Sequence, residues 1–200
     1  MYKRQSRDLK KDSVTGEYTE TGLDKIQIAY DGVAVIINKE ASIEGNNVTN
    51  EQLYALYAYG TPIGGISLPV SREDGSGTRE AFDEKITDAE GNKLIDLTKF
   101  TSGIQIANGT NIVMTDVAGN VAKLGYISMG SLNDTVKAVK YNGVEPTVEN
   151  VKNGTYKLAR PFLIVTKSGA ELSQAAKDFI DFILSEAGQK IVAEEGYVAM

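Results

Sequence analysis

The segment SREDGSGTREAF, residues 71–82, combines the residue types that bind a tetrahedral oxyanion. Gly75 and Gly77 flank Ser76, and because glycine has no Cβ, the backbone there can turn sharply and approach a ligand closely. The apolar run ISLPV before it predicts a buried strand, and TREAFDEKI, residues 78–86, predicts a helix. The free N–H groups and the macrodipole at the start of that helix favour an anion. The segment therefore predicts an oxyanion site.

Four side chains of this segment supply further hydrogen-bond donors. Ser76 and Thr78 carry hydroxyl groups, and Arg72 and Arg79 carry guanidinium groups that suit tetrahedral oxyanions. The alternatives are a strand-to-helix turn whose hydroxyls only cap the helix, and an Arg79 that points to solvent. A nucleotide P-loop is excluded, because Gly77 stands where that motif needs lysine. We expect a compact oxyanion rather than ATP or NAD.

Composition excludes several other classes of function. The 200 residues contain neither cysteine nor histidine, which removes disulfides, thiolate metal sites and a Ser-His-Asp triad. A net charge of −6 disfavours nucleic acid as a partner. No apolar run is long enough to span a bilayer. We expect neither a cofactor nor a bound metal.

Predicted strands and helices alternate along the chain, which is typical of an α/β fold with a mixed sheet. Residues 26–40 predict a strand, a bend at Asp31–Gly32 and a second strand, and residues 49–52 have the form of a helix capping box. The other predictions are a helix at 110–123, strands at 124–128, 136–144 and 159–167, and a short helix after Thr147.

Residues 172–193 predict an amphipathic helical region with an interruption at Gly188. One face carries four large apolar residues that we expect in the core: Phe179, Ile180, Ile183 and Leu184. The tyrosines Tyr54, Tyr57 and Tyr59 on the helix after residue 49 are also expected to pack rather than to bind a ligand.

Six segments, in order, resemble the phosphate-binding proteins of bacterial phosphate ABC transporters (PstS-like). They are SRDLK, IAYDGVAVIIN, VTNEQLYALYAYG, SREDGSGTREAF, the run from LGYISMGS to ARPFLIVTK, and FILSEAGQKIVAEEGYV. This resemblance implies a type II periplasmic-binding-protein fold, in which two lobes close over a ligand cleft. It implies a continuous lobe at residues 40–133 and a discontinuous one at residues 1–39 and 134–200. The resemblance also implies an N-terminal truncation that removes the first βαβ portion of the discontinuous lobe, the export signal and any lipid anchor.

By resemblance, the loop after ISLPV supplies hydroxyl and N–H donors to the ligand. Arg72 matches an arginine that contacts phosphate, and Asp74 matches an acid that orients this arginine. An alternative for the pair is a surface ion pair of little energetic value. The other candidates in the loop are Ser76, Gly77, Thr78 and Arg79.

Asp31 is the candidate for distinguishing phosphate from sulfate. Phosphate carries a proton near neutral pH and sulfate does not, so a carboxylate acceptor binds the first and repels the second. Asp31 followed by Gly32 is also typical of a simple turn, and some members of the family place the acceptor at the positions matched by residues 6–8. There Ser6 is a candidate hydroxyl donor, and Arg7 either contacts the ligand or braces the hinge.

These features predict a solute-binding protein, and not an enzyme, that captures inorganic phosphate and delivers it to the membrane subunits of an ABC permease. The expected location is periplasmic or extracellular and membrane-associated. One alternative is a binder of another oxyanion, such as sulfate, molybdate or a phosphonate. Two others are a phosphoryl-transfer enzyme whose metal ions are held by carboxylates, and a sensor or adhesion module that no longer transports.

Overall fold

The computed structural model describes the backbone of Lys3–Gln5, then Leu9, Asp12 and residues 15–97 and 99–200. The candidates Ser6 and Arg7 lie outside the described residues. In chain order, the described elements are β1 Lys3–Gln5, β2 Leu23–Ile37, β3 Asn47–Val48, α1 Asn50–Tyr59, β4 Leu68–Arg72, α2 Gly77–Lys85, β5 Gln105–Ala107, α3 Thr110–Ala118, β6 Lys123–Ser128, β7 Lys137–Ala138, β8 Lys140–Tyr141, α4 Val148–Lys152, β9 Ala159–Lys167, α5 Gln174–Leu184 and α6 Glu186–Glu194.

The chain divides into two compact units, a first unit of residues 1–31 with 160–200 and a second unit of residues 32–159. The second unit is longer at both ends than the 40–133 lobe that the resemblance implies. Its extra residues are held together by hydrogen bonds. The Val139 N–H donates to the Val35 carbonyl at 3.0 Å, and the phenol of Tyr156 donates to the Val33 carbonyl at 2.7 Å.

A mixed sheet forms the centre of the second unit, which confirms the α/β fold class predicted from the sequence. Its strand order is β2-β6-β4-β5, with β7 also paired to β2. Strand β2 runs antiparallel to β6, whereas β4 runs parallel to both β6 and β5. Val70, Val113, Val117 and Ile127 belong to the buried cluster that packs α3 on this sheet.

Strand β2 runs without a break through Asp31 and Gly32, so the predicted bend was wrong. A Cβ added at Gly32 would lie 2.2 Å from the Met129 sulfur. The glycine is therefore explained by a close side-chain approach rather than by a turn. Thr49 makes the predicted capping box with Gln52, and Thr147 caps α4 as predicted.

In the first unit, β9 pairs with β1 and with β2, and helices α5 and α6 follow it. The helices are separated at Ser185, whose Oγ accepts the Gly188 N–H at 3.2 Å and so caps α6. The predicted break at Gly188 was therefore slightly too late. Ile180 is the only member of the predicted core face of α5 that is buried, and Phe179 is 61% exposed. None of the described helices has both the length and the hydrophobicity that crossing a membrane requires.

Replacing Gly188 by alanine is expected to destabilise the first unit. The new Cβ would lie 2.1 Å from the Phe182 carbonyl oxygen and 2.7 Å from that of Ile183. Because alanine favours a helix more than glycine does, any loss of stability must come from this overlap. We expect the free energy of unfolding, measured in urea, to fall by about 2 kcal/mol. Gly103→Ala is the matched control, because among the described residues, its two chain neighbours aside, no atom lies within 4 Å of the added Cβ. Equal effects of the two variants would contradict the prediction.

Candidate anion-binding site

The segment at residues 71–82 forms the strand end, loop and helix start that its sequence predicts. Strand β4 ends at Arg72, and α2 begins at Gly77. Gly75 has a φ of 83°, in the left-handed region that favours glycine. Ser76 is the N-cap of α2, because its Oγ accepts the Arg79 N–H at 3.4 Å. The sequence and the geometry therefore agree closely here.

The first turn of α2 presents N–H groups that the helix itself cannot bond. Within the described part of the chain, the N–H groups of Gly77 and Thr78 have no hydrogen-bond acceptor. The cap uses the Ser76 oxygen only as an acceptor, so its hydroxyl proton remains available to a ligand. Capping and anion binding are thus compatible functions of the same serine.

Arg72 is held firmly at the end of β4. Its Nε and Nη2 donate to the two carboxylate oxygens of Glu73 at 2.7 and 2.8 Å, and Nη1 donates to Thr110 Oγ1 at 3.0 Å. Hydrogen bonds from Arg72 hold the pKa of Glu73 at about 2, so the pair stays ionised. The orienting acid of this arginine is Glu73, whereas the resemblance implies Asp74.

Asp74 pairs with Arg79 instead. Arg79 Nη1 donates to Asp74 Oδ1 at 2.6 Å and to the Arg72 carbonyl at 3.1 Å, while Nε donates to Asp83 Oδ2 at 3.2 Å. The guanidinium carbon lies 5.2 Å from the centre of the Phe100 ring, in cation–π contact. Arg79 therefore binds the loop and its own helix rather than pointing to solvent.

A cavity of about 340 Å³ runs along the face of α2 that carries Ser76, Arg79 and Asp83. Leu94 and Phe100 line it from the segment that follows the helix. It begins beside the loop between β4 and α2, since Ser76 and Gly75 also line it. The loop, Arg79 and Asp83 thus line one concave surface.

Asp83 is buried on this face, with its side chain only 5% exposed. Among the described residues, its Oδ1 has no hydrogen-bond partner. Burial raises the pKa of Asp83 to about 6, although the hydrogen bond from Arg79 opposes the shift. Asp83 therefore becomes ionised only near neutral pH, at a cost to the fold.

Asp83→Asn is expected to flatten the dependence of stability on pH. The pKa of Asp83 is higher in the folded state than in the unfolded state. Its contribution to the free energy of unfolding is therefore fully present below about pH 4 and is lost as the pH rises through about 6. The loss is about 3 kcal/mol for two pKa units. The variant minus wild-type free energy of unfolding should therefore rise across this range in urea titrations. Glu84→Gln makes the same charge change one residue along α2, and it should keep the wild-type slope of the free energy of unfolding against pH. If Asp83→Asn also kept the wild-type slope, Asp83 would not be the source of this pH dependence.

Buried hydroxyl groups support the end of β4 from the core. Ser71 Oγ and the Tyr126 phenol lie 2.7 Å apart, and the Arg72 N–H donates to the same phenol at 3.4 Å. Tyr126 stacks on Phe82 of α2 with ring centres 4.0 Å apart. Tyr57 donates from its phenol to the Val70 carbonyl at 2.9 Å. The strand end, the helix and α1 therefore form one packed base for the loop.

Asp31 lies in the first unit and pairs with Arg160, which the sequence analysis did not single out. Arg160 Nε and Nη2 donate to Asp31 Oδ2 at 3.3 and 3.2 Å, and both side chains are more than nine-tenths buried. The guanidinium carbon also lies 5.8 Å from the Phe162 ring centre. A buried carboxylate held by a guanidinium is an acceptor of hydrogen bonds only.

Comparison with known proteins agrees with this fold. The PBP superfamily domain matches residues 4–187. The phosphate-binding protein PstS 2 of Streptococcus agalactiae is 46% identical over 132 residues, which is 66% of this chain and 45% of that protein. The chain thus spans less than half the length of this relative.

Two solved structures are similar over the whole chain. A putative phosphate ABC transporter substrate-binding protein with bound phosphate from Clostridium perfringens is 41% identical, with a TM-score of 0.73 and 79% of its own chain covered. An ABC-type phosphate transport receptor from Vibrio cholerae is 28% identical, with a TM-score of 0.79 and 80% covered.

The mixed sheet, with its glycine- and serine-containing loop before α2, is the type II periplasmic-binding fold of substrate-binding proteins. The chain belongs to the PBP superfamily, and its relatives are phosphate-binding proteins of the PstS type.

Proposed function

We propose that this chain binds inorganic phosphate reversibly. The observation that carries the proposal is the set of hydrogen-bond donors at the start of α2 and at the end of β4. The N–H groups of Gly77 and Thr78 have no acceptor within the described part of the chain, and the Ser76 and Thr78 hydroxyls lie in the same turn. Arg72 lies at the preceding strand end in a fixed orientation. Such a donor set suits a small tetrahedral anion.

The relatives support phosphate as the anion. A similar structure from Clostridium perfringens contains bound phosphate, and the streptococcal relative is named as a phosphate-binding protein. We extend this to the whole protein as a proposal: it captures phosphate outside the cytoplasmic membrane, at the membrane surface, and hands it to the membrane subunits of an ABC permease. It catalyses no reaction, because capture and release need only reversible hydrogen bonds.

Asp31 remains the proposed acceptor for the proton of phosphate. Its burial and its pairing with Arg160 favour a fixed carboxylate over a surface group. A fixed acceptor repels sulfate, which has no proton to donate near neutral pH. Selectivity therefore should depend on Asp31, and Asp31→Asn should bind sulfate better than the wild-type chain does.

Isothermal titration with phosphate tests the proposal, with sulfate at the same ionic strength as the control. We expect saturable binding of one phosphate per chain and little heat from sulfate. Stronger binding of sulfate or molybdate than of phosphate would reassign the ligand. The absence of any saturable anion binding would overturn the proposed function.

A further inference from the structure

We propose that Arg79 and Asp83 are positioning residues for the anion loop, and that Arg79 holds the loop in its binding conformation without contacting the anion. This inference rests on the proposed function, because it concerns how the same loop is prepared for phosphate. The loop is defined here as residues 72–76, between the end of β4 and the start of α2.

Arg79 is bonded to the loop at three points. Its backbone N–H donates to Ser76 Oγ, its Nη1 donates to the Arg72 carbonyl, and the same Nη1 donates to the Asp74 carboxylate. One residue on the first turns of α2 therefore holds the start, the middle and the end of the loop. A guanidinium group whose donors are engaged in this way fixes the position of the backbone. A ligand-binding guanidinium, by contrast, needs donors that are free for the ligand.

Asp83 fixes the guanidinium from the opposite side. Its Oδ2 accepts from Arg79 Nε at 3.2 Å, one helical turn along α2, while Phe100 covers the guanidinium plane. With Nε held by Asp83, Nη1 is directed at the loop. Since the Asp83 side chain is only 5% exposed, solvent competes weakly for this hydrogen bond.

The groups that face Asp83 leave Arg79 as its only cationic partner among the described residues. The carboxylates of Asp74 and Glu80 line the same cavity. Tyr57 on α1 and Tyr126 on β6 also interact with Asp83, and burial raises the pKa of each phenol well above its ordinary value. Both phenols therefore stay neutral near physiological pH. Leu94 and Phe100, on the segment that packs against α2, carry no charge. The charge state of Asp83, with a pKa of about 6, is then the variable that strengthens or weakens its hold on Arg79.

The first test uses the ligand-free protein and follows the amide signals of Gly75 and Gly77 by NMR from about pH 5 to about pH 8. If Asp83 sets the loop, both signals should shift in one transition with a midpoint near 6 in the wild type. Asp83→Asn should abolish that transition, and Glu84→Gln should leave it unchanged. A transition that persists in Asp83→Asn would overturn the proposal, and no phosphate is needed to reach this result.

The second test measures phosphate affinity. At about pH 7.5, Asp83→Asn and Arg79→Gln should each weaken binding by about fivefold to tenfold, and the double variant should lose little more than either one. The titration of phosphate itself affects all variants equally. At about pH 5 Asp83 is mostly neutral, so the ratio of wild-type affinity to Asp83→Asn affinity should approach one. A far larger loss in Arg79→Gln than in Asp83→Asn would show that Arg79 binds the anion directly, against the proposal. Failure of the wild type to bind any phosphate would instead reject the proposed function.

Discussion

Replacing Arg72 by alanine is expected to lower phosphate affinity by about 100-fold, or roughly 3 kcal/mol. The substitution removes the guanidinium group at the end of β4 and leaves the Glu73 carboxylate, whose pKa of about 2 depends on that group, unpaired near the anion. Loss of attraction and gain of repulsion therefore add together. Isothermal titration at constant ionic strength measures the change.

Two variants separate these contributions. Glu73→Gln in the Arg72→Ala background should restore part of the affinity, because it removes the unpaired negative charge. Lys140→Met is the control for net charge, since Lys140 is a half-exposed lysine of the same unit whose ion pair with Glu145 spans 3.8 Å. It should change affinity by less than about twofold. An Arg72→Ala chain that binds phosphate like the control would show that the anion lies elsewhere.

Replacing Arg160 by methionine is expected to lower the free energy of unfolding by about 3–5 kcal/mol. The substitution leaves the Asp31 carboxylate buried without the guanidinium that now donates two hydrogen bonds to it. Methionine keeps most of the side-chain volume, so a cavity contributes little to the loss. Urea unfolding at neutral pH measures the effect.

The Asp31→Asn, Arg160→Met double variant is the matched control. It removes both charges of the buried pair, so most of the lost stability should return. The two single effects should therefore be strongly non-additive. If the double variant is as unstable as the sum of the single variants, the pair is not the cause of the loss.

The anion loop could be predicted from the sequence because its information is local. Two glycines around Ser76, a preceding apolar run and a following helical pattern specify a strand, a turn and a capped helix within residues 66–86. Each of these features depends on backbone conformation and capping, which neighbouring residues determine. The mixed α/β fold was predictable for a similar reason, since alternating patterns indicate its elements.

The partners of the charged residues could not be predicted in the same way. Arg72 donates a hydrogen bond to Thr110, which lies 38 positions later in the chain. Asp31 accepts one from Arg160, which lies 129 positions later. Such pairs depend on strand order and register, and Arg72 meets the start of α3 because it is aligned with Ala107 of β5. Arg72 also pairs with Glu73 rather than with Asp74, although both acids lie close to it in the chain. Sequence spacing alone does not distinguish these outcomes.

The pattern of α5 shows a different limit. Phe179 and Ile180 are both apolar and adjacent on the predicted face, yet one is 61% exposed and the other is buried with Ile28 and Ile164. The amphipathic pattern indicates that a helix has an apolar side. How much of that side is covered depends on where the helix lies against β2 and β9, which periodicity does not encode.

The most direct test of the central claim is NMR mapping of phosphate binding on the amide signals of the full chain, with sulfate as the control. The loop and the first turn of α2 should respond most strongly, with the largest shifts at the N–H groups of Gly77 and Thr78. Sulfate should leave these signals nearly unchanged. Shifts confined to other surfaces, or equal responses to sulfate and phosphate, would contradict phosphate binding at this loop.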